Sequence, residues 1–298
     1  MNNLRDIRNH LRRVRQIQKV TRAMKMVSAV KLRHSQAALF ESRPYLAAVR
    51  DTMLRLAGHR ELASIGHPFL VKRPVKRTLF LVISTDKGLC GSVNSNLYRL
   101  VDKTQKELAV EWPEAKDRLF YLVGRKASDY YRRRQDRIPG FHMVDHMGAA
   151  EADALAIAKR LSEMYIRGDV DRIDVFYTKF KSTMQQQSTH ERILPVARDA
   201  EERAQGAAGG KAAADYIFEP DAAAVLADVA TRFIGGQVQR VILESIASEH
   251  GARMTMMDQA TNNADDMIGQ IQLQYNKARQ LGITRELADI TTGAEAMS

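Results

Sequence analysis

The first 43 residues contain neither glycine nor proline, and this run constrains the fold more than any other feature. Apolar residues recur along it at steps of three and four: Leu4, Ile7, Leu11, Val14, Ile17, Val20, Met24, Val27 and Val30. That spacing indicates one face of a helix. We predict a helix from about residue 3 to about residue 57, roughly 80 Å long, with Pro44 as its one kink. So long a helix needs a partner along its length, because isolated helices are only marginally stable.

The C-terminal part of the sequence has a matching pattern, with no proline after Pro220. Apolar residues there keep approximate heptad spacing: Leu226, Val229, Phe233, Val241, Ile246, Met257, Ala264, Ile268, Ile271, Tyr275 and Ala278. We predict a second helix from about 221 to about 290, on the order of 100 Å long. Five glycines interrupt it: Gly235, Gly236, Gly251, Gly269 and Gly282. Each costs up to about 1 kcal/mol relative to alanine, and they either let two backbones approach closely or allow local unwinding.

The charges of the two ends are opposite. Residues 1–57 hold 13 lysines and arginines against 3 acidic residues, whereas residues 213–298 hold 6 against 12. A basic end attracts nucleic acid, lipid head groups or acidic protein surfaces, and it also complements the acidic end of its own chain. Two long helices of opposite charge at the two termini predict an antiparallel coiled coil.

The middle of the chain alternates between strand and helix patterns. We predict strands at 77–85, 118–123, 172–181 and 192–196 and helices at 92–111, 125–134 and 149–168. This alternation favours a Rossmann-like α/β domain with a mostly parallel sheet, inserted between the terminal helices. The fold class is therefore mixed α+β and α/β, with an N-terminal helix at 1–58, the α/β domain at 75–197, a low-complexity linker at 198–214 and a C-terminal helix at 215–298.

No catalytic, cofactor or metal site is predicted. In the loop STDKGLCGSVNSN, at 84–96, Gly88 and Gly91 are too close for a phosphate loop, and no Lys-Ser/Thr follows. The string QGAAGGKA at 205–212 lacks the first glycine and the final hydroxyl residue of that motif. His142 and His146 have i, i+4 spacing but no third metal ligand, which favours a surface pair.

The sequence contains a single cysteine, so no disulfide can form within the chain. No window holds 18 consecutive apolar residues, and the N-terminus shows no apolar signal region. We therefore expect a protein of a reducing compartment without a membrane span.

Four blocks, in order, resemble the gamma subunit of F-type rotary ATP synthases. They are DIRNHLRRVRQIQKVTRAMKMVSAVKLRHSQ near the N-terminus, STDKGLCGSVNSNL, DYIFEPD at 215–221, and ASEHGARMTMMDQATNNADDMIGQIQLQYNKARQLGITRELADITTGAEA at the C-terminus. The resemblance covers the whole chain, and 58–75 and 198–214 are its least diagnostic parts.

The resemblance implies a non-catalytic rotor, in which the terminal helices form a shaft inside a ring of alpha and beta subunits. Proton flow would turn a membrane ring of c subunits, and the shaft would drive the catalytic beta subunits through their states, with ATP and magnesium bound there. By similarity, Met24 and Lys25 lie at the level where the shaft meets the beta subunits, together with Arg253 and Gln280, and Thr284 lies just beyond.

The same resemblance places the loop after the first strand against a beta subunit, with Lys87 and Cys90 as contact residues. Tyr216, Phe218 and Glu219 would contact the epsilon subunit and the c ring; Phe218 stands where the family often has a tyrosine. The chain lacks the cysteine-bearing insertion of the chloroplast form, so no thiol switch is expected. The implied location is peripheral, on the cytoplasmic side of a bacterial inner membrane.

The alternative is a basic coiled-coil protein that binds nucleic acid or has a structural role. It explains the basic N-terminal helix but not the acidic C-terminal helix or the four ordered blocks. Aromatic residues make up only 6% of the chain, which is little for a single-strand stacking platform.

Overall fold

The computed structural model describes residues 4–57, 68–69, 73–113, 117–134, 138–142, 150–195, 219 and 221–295. In chain order the elements are α1 (Leu4–Ala57), β1 (Arg77–Ile83), α2 (Val93–Glu111), β2 (Asp117–Val123), α3 (Arg125–Arg133), β3 (Gly140–His142), α4 (Ala150–Ile166), β4 (Arg172–Phe180), β5 (Gln186–Leu194) and α5 (Ala222–Glu295). The chain divides into two units, one from Met1–Val30 and Arg253–Ser298 and the other from Lys31–Ala252.

Both predicted long helices are present. α1 has 54 residues and continues through Pro44, and α5 has 74 residues and is unbroken. The close approach of two backbones expected for the glycines of α5 is not what is seen: at two of them a side chain, not a second backbone, comes close. A Cβ added at Gly236 would lie 2.7 Å from Cδ2 of Leu46 on α1, and one at Gly251 would lie 3.0 Å from Cε2 of Phe180. Local unwinding does not occur, because the helix runs through every glycine.

The first unit is built from the beginning of α1 and the end of α5, which run in opposite directions. Its apolar cluster joins Ile7 and Val14 of α1 to Ala264 and Ile271 of α5, with further apolar side chains packed around them. A Cβ added at Gly282 would meet Cδ1 of Leu4 at 3.9 Å, so the start of α1 lies beside the end of α5.

The second unit contains a five-stranded sheet with the strand order β3-β2-β1-β4-β5. β1 pairs in parallel with both β2 and β4, β2 pairs in parallel with β3, and β5 pairs antiparallel to β4. The expected mostly parallel sheet is therefore present, with β1 at its centre.

Both faces of the sheet are covered, which explains why β1 reads as a continuous apolar run. Leu79 and Leu81 face a cluster that includes α4, the end of α1 and the beginning of α5. Phe80 and Val82 point to the opposite face, where α2 and α3 supply the packing, because side chains alternate along a strand.

Two strand predictions differ from the structure. β3 was not predicted, because a strand of three residues is too short for a period-2 pattern to appear. β5 begins at Gln186 rather than at residue 192, because its first half is polar. That polarity is compatible with a strand here, since within the described sheet β5 pairs on one side only. The predicted linker at 198–214 lies outside the described residues.

Candidate functional site

Three polar contacts join α1 to α5 within the first unit. The Gln18 side-chain amide donates to Asp265, and the Thr261 hydroxyl donates to the Thr21 hydroxyl at 2.8 Å. Lys25 Nζ lies 2.5 Å from Asp258 Oδ1 in an ion pair whose side chains are 42% and 48% exposed. The basic and acidic helices therefore do meet, through single polar pairs at successive levels.

The buried line of α1 in this unit follows a strict seven-residue repeat. Ile7, Val14, Thr21 and Ser28 are all buried, so the last two positions are polar. Four apolar residues of the predicted stripe are instead more than half exposed: Ile17, Val20, Val27 and Val30. The predicted stripe leaves the buried seam after Val14, because it takes three successive steps of three from Leu11 to Val20, whereas a seven-residue seam alternates steps of three and four.

The five contact residues predicted on the terminal helices differ in exposure. Met24 is half-buried and Arg253 is 5% exposed, whereas Gln280 and Thr284 are exposed. The Thr284 hydroxyl donates to the Gln280 carbonyl of its own helix at 3.0 Å. Lys25 is engaged with Asp258.

The shared level expected for Met24, Arg253 and Gln280 is wrong. Lys25, the neighbour of Met24, pairs with Asp258, whereas Gln280 lies beyond Arg253 on α5 by about 40 Å at 1.5 Å per residue. A single position on α1 therefore cannot contact both Arg253 and Gln280.

The loop after β1 is fixed by its own hydrogen bonds. The side-chain amide of Asn94 donates to the Thr85 hydroxyl at 2.7 Å, and its carbonyl accepts from the Thr85 backbone at 3.2 Å. The Thr85 hydroxyl in turn donates to the Lys87 carbonyl at 2.9 Å. Leu89 and Gly91 have φ values of 62° and 63°, so two left-handed residues make the turn into α2.

The same loop supplies the hydrogen-bond acceptors for the first backbone amides of α3. Asp86 Oδ1 accepts from the Arg125 backbone at 2.7 Å, the Thr85 carbonyl accepts from Lys126 at 3.0 Å, and Ser84 Oγ accepts from Ala127 at 2.8 Å. These are the amides that a phosphate at a helix N-terminus would need. Because a carboxylate of the chain itself already lies there, the geometry argues against a phosphate at the N-terminus of α3.

The two predicted contact residues of the loop point in different directions. Lys87 is exposed, whereas Cys90 is 2% exposed and packs with Val93 and Ala252. Leu89, which was not singled out from the sequence, is 62% exposed beside them. Lys87 and Leu89 therefore lie on the outer surface of the loop, and Cys90 holds the loop from inside.

A polar cluster that the sequence did not reveal links α5 to β5 in the second unit. Arg240 Nη2 lies 2.5 Å from Glu191 Oε2, and Arg240 Nη1 lies 3.1 Å from Glu244 Oε1. The Tyr177 hydroxyl donates to Glu191 Oε1 at 2.6 Å. Burial by itself raises the pKa of Glu191, but the Arg240 guanidinium and the Tyr177 hydroxyl outweigh it and lower that pKa. Burial raises the pKa of Tyr177.

The remaining predicted site residues fall mostly outside the described part of the chain. Glu219 is exposed, whereas Tyr216, Phe218 and His146 lie outside the described residues. In the part of the chain that the structure describes, no group of three or more His, Cys, Asp or Glu side chains is arranged to hold a metal ion. No helix in the same part is long and apolar enough to cross a membrane.

Comparison with known proteins gives matches over the full chain. A family model described as ATP synthase matches residues 3–297. The chain is 39% identical over 298 residues to an ATP synthase gamma chain of Anaeromyxobacter dehalogenans (strain 2CP-C), with 100% of both chains covered. It is 40% identical over 299 residues to that of Anaeromyxobacter sp. (strain Fw109-5), again with 100% of both covered.

Solved structures agree with these matches. A chain of the central stalk and c-ring structure of the Tetrahymena thermophila mitochondrial ATP synthase has a TM-score of 0.62 and 28% identity, covering 81% of this chain and 99% of that one. A chain of the Euglena gracilis mitochondrial ATP synthase, at 20% identity and a TM-score of 0.67, covers 99% of this chain and 94% of its own, and shares the fold. None of these similarities supports the nucleic-acid-binding alternative.

Proposed function

Because this chain belongs to the ATP synthase gamma chain family, we propose that it is the rotor of an F-type ATP synthase and performs no chemistry itself. Its function is that of a gamma chain, a subunit of the central stalk. In the proposed mechanism, proton flow turns a ring of membrane c subunits, and this chain carries the rotation to the beta subunits, where ATP is made or hydrolysed. The coupling is a rigid-body transition between bistable interfaces.

The observation that carries the proposal is the antiparallel pairing of the two ends of the chain through Gln18–Asp265, Thr21–Thr261 and Lys25–Asp258. A rotor must transmit torque along its length, which requires two helices held in register. Single polar pairs supply register, because each donor fits one acceptor. We propose that these helices form a coiled coil, and that the α/β domain is a Rossmann-like insertion between them. The proposed domain boundaries are those expected from the sequence: 1–58, 75–197, 198–214 and 215–298.

The exposed apolar residues of α1 support a surrounding partner. Ile17, Val20, Val27 and Val30 lie on one stretch of a helix that is otherwise strongly basic. We propose that the alpha and beta subunits enclose this stretch. Met24 lies among these residues and is half-buried, and methionine adapts to several packings at low cost, which suits a surface that meets different neighbours as it turns.

We propose that the beta-subunit contacts are made directly by the exposed residues Lys87, Gln280 and Thr284. Arg253 and Cys90 are buried in the chain and would act by holding these surfaces in place. Lys25 would act through its pair with Asp258, which fixes the register of the helices at that level.

The segment at 215–221 is proposed to contact the epsilon subunit and the c ring, through Tyr216, Phe218 and Glu219. The proposed location is the cytoplasmic side of a bacterial inner membrane, as a peripheral subunit. No nucleic-acid partner is proposed.

The proposal is tested by co-expression with the alpha and beta subunits of the same source, followed by size exclusion and an ATPase assay. We expect one copy to join a complex of three alpha and three beta subunits, and sustained hydrolysis to depend on it. A matched preparation without this chain is the control. If the chain elutes alone and hydrolysis is the same with and without it, the rotor assignment is wrong.

A further inference from the structure

A groove of about 770 Å³ lies within the second unit, between α1, the β4–β5 edge and α5. The middle of α1 forms one wall, from Leu39 to Arg50, and α5 forms another, from Phe233 to Glu244. The volume is within the range of sites that bind ligands. None of the contact residues proposed above lines this groove, so failure of either proposal leaves the other standing.

The charged side chains of the lining are mostly cationic. It contains the lysine and arginines Arg43, Arg50, Lys179, Arg192 and Arg240, against the two carboxylates Glu191 and Glu244, and His190 lies among them. Five cations against two carboxylates leave a net charge of +3 without counting His190. Both carboxylates bind the same guanidinium, that of Arg240, so the negative charge of the lining is neutralised at one point. A groove of this charge attracts an anionic partner.

Apolar side chains lie between the charges. Leu46 of α1, Phe233 of α5 and Pro195 after β5 line the groove and are each half-buried. An inorganic anion gains nothing from such surface, whereas a peptide places apolar and charged side chains on it together.

Glu244 distinguishes a peptide from a simple anion. The residue is 8% exposed, and its Oε2 is buried with no hydrogen-bond donor among the described residues. A buried carboxylate oxygen without a donor is costly, so a ligand that donates a hydrogen bond at this point is favoured over one that does not. Phosphate or sulfate does not offer both the donor and the apolar surface, whereas a peptide backbone N–H supplies the donor and acidic side chains supply the negative charge.

We propose that this groove binds an acidic peptide segment of a partner protein, with its carboxylates attracted by the net positive charge of the lining and a backbone N–H on Glu244. Electrostatic attraction would set the rate of docking and the choice of partner, and the apolar residues would hold the segment in place.

The test uses the full-length chain and a fluorescent peptide of alternating glutamate and leucine, measured by anisotropy at low ionic strength. The matched peptide replaces each glutamate with glutamine. Arg43 and Arg50 are exposed, so R43E/R50E reverses two charges of the groove on the surface of α1. The control R125E/R133E makes the same charge change at exposed positions of α3, outside the groove lining.

We expect the acidic peptide to bind, R43E/R50E to weaken its binding about tenfold or more, and R125E/R133E to change it less than about twofold. Hydrogen exchange of the wild-type complex should show protection at 39–50, 186–195 and 233–244. Circular dichroism checks that each variant retains its helices.

Several results would overturn the proposal. If both double variants weaken peptide binding equally, the peptide responds only to the net charge of the chain. If inorganic pyrophosphate at equal charge displaces the peptide completely, the groove is a site for small anions. A dimer of the wild-type chain that R43E/R50E dissociates, seen by light scattering, means that a second copy fills the groove. No binding of the acidic peptide contradicts the proposal directly.

Discussion

Thr21 and Thr261 share a hydrogen bond of 2.8 Å between their hydroxyls, at a level where both side chains are buried and at most 8% exposed. The Thr21 hydroxyl donates to the Gln18 carbonyl at 3.0 Å and accepts from Thr261. A polar pair thus occupies the position in the helix pair where an apolar residue would ordinarily pack. Because Thr21 of α1 pairs with Thr261 of α5 and with no other residue of that helix, the pair sets the register of the two helices.

Removing both hydroxyls should cost less than the sum of the costs of removing each one alone. Thr21→Val or Thr261→Val alone should lower the free energy of unfolding by about 1 kcal/mol, because the remaining hydroxyl loses its bond across the helix pair and keeps only the backbone carbonyl of its own helix. The double variant should cost less than the sum of the two single variants, since two methyl groups then pack together. Urea unfolding of the four proteins in a double-mutant cycle measures this coupling. Strictly additive effects would contradict it.

Gly124 should tolerate a side chain less well than Gly168 or Gly269. Its φ is 91°, and an added Cβ would lie 2.3 Å from the backbone oxygen of Ser84. Gly124→Ala should therefore destabilise the chain by at least about 3 kcal/mol, since a left-handed conformation and a backbone clash act together.

The other two glycines separate the cost of the left-handed conformation at Gly124 from the cost of the backbone clash. Gly168 has a φ of 77° but open space around it, so Gly168→Ala should cost only about 1 kcal/mol. Gly269 is helical with nothing within 4 Å, so Gly269→Ala should stabilise the chain by up to about 1 kcal/mol. Thermal unfolding of the three variants should give this order, and a Gly124 variant no worse than Gly168→Ala would refute the clash.

Glu191 should make the second unit sensitive to acid. Its pKa in the folded chain lies below the usual 4.5, so its pairing with Arg240 stabilises the fold above about pH 4.5 and that stabilisation is lost as the pH falls through the lowered pKa. At pH 7, Glu191→Gln should lower stability by about 1 kcal/mol, allowing for its partial exposure. The difference from wild type should shrink below pH 4.

Urea unfolding from pH 7 down to pH 3.5 measures this pH dependence. Glu107→Gln is the matched control, because the Lys103–Glu107 pair is 73% and 60% exposed and should contribute little. A constant difference between Glu191→Gln and wild type over the whole range would show that Glu191 does not titrate as its surroundings indicate.

Cys90 should react slowly with a bulky maleimide even in the isolated chain. Its side chain is 2% exposed, whereas Leu89 beside it is 62% exposed. A Leu89→Cys variant in a Cys90→Ala background should label at least about tenfold faster, since the reagent needs an accessible thiolate. Rates measured by mass spectrometry decide this, and equal rates would mean that the loop opens readily.

Lys87 provides the corresponding test of the proposed beta-subunit contact. Lys87→Cys in the same background should label quickly in the free chain, because the residue is exposed. It should label several-fold more slowly in the assembled complex. Equal rates in the two states would place Lys87 away from any subunit.

The sequence indicated the elements far better than the contacts between them. The absence of helix breakers before Pro44 and the absence of proline after Pro220 are local properties, so both long helices could be predicted to within a few residues. β1 could be predicted as well, because burial on both faces makes it apolar throughout. The three-residue β3 and the polar first half of β5 could not be predicted. β3 is too short to show an alternating pattern, and the first half of β5 lacks the apolar residues that mark a strand.

The candidate site could be predicted only in part from the sequence, for the same reason. Lys87 and Gln280 could be singled out because they lie in blocks that resemble the family. The sequence did not show whether their side chains are exposed. Arg253 and Cys90 look equally suited to contact in the sequence and are buried in the fold.

What the sequence by itself determined is the two long helices, the helices and apolar strands between them, and the opposite charge of the two ends, because each follows from residues near one another in the chain. Only the tertiary structure decided which face of α1 is buried. Ile17 and Val20 are apolar but exposed, whereas Thr21 is polar and buried. The physical reason is that the partner helix defines a seven-residue seam. A hydroxyl is satisfied at that seam because it donates to the Gln18 carbonyl of its own helix and is also hydrogen-bonded by Thr261, 240 residues away.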